Sequence, residues 1–208
     1  MHKAEIKERL KDFLEYTGKN PLPYYVQDHH GDIGKRHFWC SDWWTEEVTR
    51  CLLVGIRTYR GLERPDKLYG NEFFVQEHIV NCAKQKLLMM RSLSKIKNEA
   101  NKLLVCEVGR GLDILVASLV QNWTKVISYD RIVMHGRLIS EYFGMGMGME
   151  IDFRAETSER FPFDSINEDI ILVANGTQIQ NDVARAIQKN MRIKHVIRNG
   201  RLLYGRDG

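Results

Sequence analysis

Two hydrophobic rhythms divide the chain. In residues 3–17 apolar side chains recur at Ile6, Leu10, Phe13 and Leu14, three or four apart, and Gly18 follows; this spacing predicts an amphipathic helix with a stop. SDWWTEEVTRCLLVGIRTYRGL, residues 41–62, reads as a second helix, with Ser41 or Asp42 as a cap and acids in the first turn. NEFFVQEHIVNCAKQKLLMMRSLSKIKNEA, residues 71–100, predicts a long helix with a break near Ser92–Ser94. The intervening KNPLPYYVQDHHGDIGKRHF and ERPDKLYG carry the prolines and glycines of loops.

Beyond residue 102 the texture changes. LLVCEVG (103–109) is an almost unbroken apolar run, as expected of a strand covered on both faces of a parallel sheet. DILVASLVQNW then reads as a helix, TKVISYD (124–130) as a strand and RIVMHGRLISEYFG as a helix ending at Gly144. MGMGME (145–150) reads as a flexible connection. MEIDFRAE (149–156) and EDIILVANG (168–176) predict two more strands, QNDVARAIQKN a helix, and IKHVIRNGRLLYG a closing strand or Asn-Gly hairpin. Strands alternating with helices predict an α/β fold, a Rossmann-like, doubly wound and mostly parallel sheet over residues 101–208. An all-helical region, residues 1–100, precedes it.

Composition narrows the class. The chain has 208 residues, 43% hydrophobic and 28% charged, as in an ordinary globular protein. Its apolar runs are too short for a membrane span, and MHKAEIKERLKDF is too charged for the core of a signal peptide, so a cytoplasmic location is expected. Cys40, Cys51, Cys82 and Cys106 form no C-x-x-C pair, which suits a reduced compartment. His29, His30, His37 and Cys40 lie close in sequence but lack a second ligand pair, so a polar loop is expected there and no metal. The net charge of +4 permits an anionic partner; the nearest thing to a basic cluster, Lys189 to Arg206, reads as solvated surface.

The turn after the first strand carries the chemistry. Gly109 and Gly111 remove side chains that would obstruct a ligand, and the helix behind them offers N–H groups. Ile114 stands where a G-x-G-x-x-G dinucleotide fingerprint needs its third glycine. Glu107 suits a cationic amino group and repels a pyrophosphate. Asp130 ends the second strand, where a carboxylate accepts hydrogen bonds from both ribose hydroxyls, with Arg131 beside it. Glu156 follows the third strand, placed for an exocyclic adenine amine. Ribose, adenine and an amino-acid head without phosphate together describe S-adenosylmethionine.

Residues 103–176 resemble the cofactor half of class I S-adenosylmethionine-dependent methyltransferases. EVGRG is similar to that family's acid-x-Gly-x-Gly signature, VISYD to its second-strand acid, AETSERFPF to the stretch after its third strand and EDIILVANG to its fourth strand. The resemblance implies that Glu107, Gly109, Arg110, Gly111 and Leu112 hold the methionine part, Asp130 and Arg131 the ribose, and Glu156 the adenine. Asn175 would face the reacting methyl group. It also implies methyl transfer to a small-molecule or nucleic-acid acceptor by in-line displacement, driven mostly by positioning. The sequence departs from the family at Arg110, Leu112 and Asp113, and at Ala174-Asn175-Gly176 it lacks the Asn/Asp-Pro-Pro-aromatic run of enzymes that methylate base amines. The stretch after Gly176 is short for the family's seven-stranded sheet, so abbreviated C-terminal strands are expected.

Trp39, Trp43 and Trp44, with Tyr24, Tyr25 and His37, read first as packing and second as a lid over the cofactor; His135 and His195 read as structural. No catalytic base is legible. Two rival readings remain open at this point: a catalytically inactive methyltransferase-like scaffold, favoured by Arg110, and an NAD(P)-dependent oxidoreductase, which shares the glycines and Asp130.

Overall fold

Helix α1 (Lys3–Lys19) buries Leu10 and Phe13, one turn apart on the stripe the spacing predicts. In a computed structural model describing residues 3–19, 42–61, 72–96, 102–106, 112–121, 125–129, 150–154, 169–174 and 192–205, this helix packs against α2 (Asp42–Val54). Helix α2 turns Val48 and Cys51 inward and packs against the short α3 (Ile56–Arg60). The single helix expected over 41–62 is thus two helices. Gly55 separates them with φ 92° and ψ 147°, while its N–H still reaches the Cys51 carbonyl and its own carbonyl accepts from Tyr59. Only glycine takes that backbone conformation without strain.

Tyr59, fully buried on α3, donates its hydroxyl to Glu47 Oε2 at 2.8 Å, and Arg50 Nε lies 3.2 Å from Glu47 Oε1. This ties α3 back to α2 through one carboxylate. Helix α4 (Glu72–Ile96) buries Ile79, Ala83, Lys86, Met89, Leu93 and Ile96 at helical spacing. It runs unbroken through Ser92–Ser94, against the expected interruption: Ser94 Oγ bonds the Met90 carbonyl at 2.7 Å, so the hydroxyl is satisfied within the helix. The chain divides into two compact units, Met1–Leu87 and Leu88–Gly208, with the boundary inside α4 rather than at residue 100. Among the described residues the first unit contains helices alone, and no helix is long and apolar enough to cross a membrane.

The second unit is built on a six-stranded mixed sheet. Its strands are β1 (Lys102–Cys106), β2 (Lys125–Tyr129), β3 (Glu150–Arg154), β4 (Ile170–Ala174), β5 (Ile193–Arg198) and β6 (Arg201–Gly205), in the order β3-β2-β1-β4-β5-β6. The first five pair in parallel and β6 runs antiparallel to β5. Ile170 to Val173 are buried without alternation, and β5 buries Ile193, His195, Val196 and Ile197, so these strands are covered on both faces. The expected Asn-Gly hairpin forms: Asn199 and Gly200, with φ of 48° and 77°, are the two-residue turn whose twist matches antiparallel strands. Leu203 is an extra residue in β6 where the register shifts, and it stands 58% exposed. The helices expected over RIVMHGRLISEYFG and QNDVARAIQKN lie outside the described residues.

Candidate functional site at the carboxyl edge of the sheet

Parallel pairing aligns the ends of four strands. Cys106 at the end of β1 is level with Tyr129 of β2 and Ala174 of β4, and Tyr129 is level with Arg154 of β3. Four carboxyl ends therefore stand in a row about 14 Å long, three strand spacings. From β1 the chain moves outward to β2 and β3, then returns to the other side of β1 as β4. The order reverses between β1 and β4, and in open parallel sheets ligands bind beyond the carboxyl ends at such a reversal.

The sequence-derived residues follow these ends in the chain. Glu107 comes directly after Cys106, Asp130 after Tyr129 and Asn175 after Ala174, while Glu156 is two residues past Arg154. Glu107, Gly109, Arg110, Gly111, Asp130, Arg131, Glu156 and Asn175 themselves lie outside the described residues, as do Tyr24, Tyr25, His29, His30, His37, Trp39, Cys40 and His135. Leu112 opens helix α5 (Leu112–Ser118). Trp43 and Trp44 stand in the first turn of α2, in the other unit. His195 is 4% exposed, in the interior of β5.

Helix α5 is the next described element after β1, and it is covered all round from Asp113 onward. Asp113, Ile114, Leu115, Val116, Ala117, Ser118 and Leu119 are each 1% exposed or less. Two of these are polar. Ser118 bonds the Ile114 carbonyl at 2.8 Å, which satisfies its hydroxyl in the interior. Asp113 lies in the first helical turn, where the partial positive charge of the helix favours a carboxylate. Sequence reasoning noted Asp113 only as a departure from glycine or threonine. Its burial has no periodic signature, because a helix enclosed on every side shows no polar face.

Among the described residues no group of three His, Cys, Asp or Glu side chains is arranged to hold a metal ion. Comparison with protein-family models, with curated proteins and with solved structures returns no match.

Proposed function

We propose that this chain is an S-adenosylmethionine-dependent methyltransferase built on a Rossmann-like, doubly wound sheet. The observation that carries the reading is the co-registered row of strand ends at the β1/β4 reversal, with an acid directly after β1 and another directly after β2. The strand order β3-β2-β1-β4-β5-β6 agrees with that of doubly wound nucleotide-binding sheets. It differs in β6, which runs antiparallel.

The donor set following these strand ends suits a sulfonium nucleoside. Asp130 accepts the ribose hydroxyls, Glu156 the adenine amine, and Glu107 with Gly109, Arg110, Gly111 and Leu112 holds the amino-acid part. The Glu107 carboxylate after the first strand disfavours a pyrophosphate, and Ile114 replaces the glycine a dinucleotide fingerprint requires. When bound, S-adenosylmethionine supplies an electrophilic methyl group. The chain's part is to orient it: Asn175, after β4, is placed to position the acceptor. No protein base is assigned, since a reaction driven by proximity needs none.

A thermal-shift series tests this. S-adenosylmethionine and S-adenosylhomocysteine should raise the melting temperature, while NAD and NADP should not, because a ligand that binds the native state stabilises it. A shift with NAD or NADP alone would move the assignment to an oxidoreductase, and no shift with any of the four to a scaffold.

A further inference from the structure

We propose that the tip of the β5–β6 hairpin, with the end of α4 beside it, is a binding site for the phosphate groups of a nucleic acid. As a binding site it goes beyond the methyltransferase reading; naming that nucleic acid as the methyl acceptor rests on it.

Arg198 and Arg201 close the Asn199-Gly200 turn as a directly opposed cross-strand pair. Opposed residues share one face of a sheet with their Cβ atoms roughly 5 Å apart, and like charges in that position destabilise the hairpin. Among the described residues no carboxylate pairs with either guanidinium. Arg198 Nε is moreover enclosed without a hydrogen-bond acceptor, an arrangement proteins avoid because a buried donor loses its water and gains nothing.

A long-range hydrogen bond adds to the charge. Ser92 Oγ on α4 donates to the Gly200 carbonyl at 2.9 Å, which holds this helix end against the turn. Arg91 and Lys95, on either side of Ser92 in the sequence, are exposed and carry no ion pair among the described residues. The Arg198–Arg201 pair thus stands at the turn that Ser92 touches, and Arg91 and Lys95 lie within one helical turn of Ser92, in a chain whose net charge is +4. The other end of β5 behaves differently: Arg192 and Lys194 both reach Asp169, at 3.2 and 3.7 Å. Among the described residues, the cations at the amino end share a carboxylate and those at the carboxyl end do not.

The location gives the charge its meaning. Ile197 pairs with Val173, so Arg198 comes level with Ala174 and, through β4, with Cys106 at the end of β1. The arginine pair therefore rims the same edge as the candidate cofactor site, two strand spacings from β1, or about 10 Å. Guanidinium groups match phosphate oxygens two at a time, and several cations in a row suit a chain of phosphates better than a single one. A strand held there lies next to the β1/β4 reversal.

Fluorescence anisotropy of the full chain with a labelled single-stranded RNA, or with labelled DNA of the same sequence, and with unlabelled polyglutamate as competitor, tests the site across a salt series. RNA or DNA should bind with log affinity falling linearly in log salt, and polyglutamate should not compete. Arg201→Gln and the double variant Arg91→Gln/Lys95→Gln, all at exposed positions, should each weaken binding roughly tenfold. The salt slope should become shallower by about 0.7 for each phosphate that the variant no longer neutralises. Arg192→Gln should leave both unchanged. Failure of the wild type to bind at low salt, variants with wild-type affinity and slope, or equal competition by polyglutamate would each overturn the proposal. The cofactor thermal shift reads separately: nucleic-acid binding without it keeps this site and removes the methyltransferase, and the reverse result does the opposite.

Discussion

Gly55 and Gly61 flank helix α3 and should respond to the same substitution with opposite signs. At Gly55 the backbone sits at φ 92° and ψ 147°, and a Cβ added there would meet nothing within 4 Å. The cost of Gly55→Ala is therefore purely conformational, about 1–3 kcal/mol for a residue forced into a glycine-only region. The reduced freedom of the unfolded chain offsets about 0.4–1 kcal/mol of it. The net effect is a destabilisation of up to about 2.6 kcal/mol, about 1.3 kcal/mol at the centre of both ranges. At Gly61 the backbone is helical, φ −85° and ψ −3°, and a Cβ would lie 3.4 Å from the Thr58 carbonyl oxygen, an ordinary approach. Gly61→Ala should keep the unfolded-state gain and stabilise by up to about 1 kcal/mol. In a chain of this length, 1 kcal/mol corresponds to roughly 2–4 °C in melting temperature, so calorimetry separates the two variants. Equal melting temperatures, or a Gly55→Ala protein as stable as wild type, would refute the claim that the α2–α3 junction depends on a backbone conformation open to glycine alone.

Tyr59→Phe should destabilise by about 1.5–3 kcal/mol in urea melts, since it removes a buried hydroxyl bonded to the Glu47 carboxylate without changing shape. Leu115→Ala, in the fully enclosed α5, should cost about 2–5 kcal/mol in the same assay, far more than a truncation on a half-exposed helix. Asp130→Ala should weaken S-adenosylmethionine binding by about 1–3 kcal/mol by titration calorimetry, the cost of ribose hydroxyls left without their acceptor; unchanged affinity would mean that the ribose sits elsewhere. Asp169→Asn should alter stability by less than about 1 kcal/mol, because its pairs with Arg192 and Lys194 are exposed to solvent and salt.

Among the described residues, the hydrophobic rhythm located the helices and strands, though not every boundary, since periods of 3.6 and of unbroken burial are properties of neighbouring residues. KVISY, EIDFR and IILVA each lie within a strand read from the pattern, and Asn199-Gly200 announced its turn because both positions require positive φ. Where local sequence admits two outcomes, packing decided. A glycine in a helical pattern is compatible with continuity or with a break, and Gly55 broke; two serines read as a break, yet Ser94 bonded the Met90 carbonyl of its own helix and α4 continued. For the candidate site, the acids were legible because they end predicted strands. The alignment of the strand ends they follow was not, because it depends on β1 lying between β2 and β4 in matching register, a pairing of residues distant in the chain. The burial of Asp113 and the meeting of Ser92 with Gly200 belong to the same class. Sequence spacing specifies what a segment is; only the tertiary pairing specifies which segments meet, and the contact of the α4 end with the Arg198–Arg201 turn exists at that level alone.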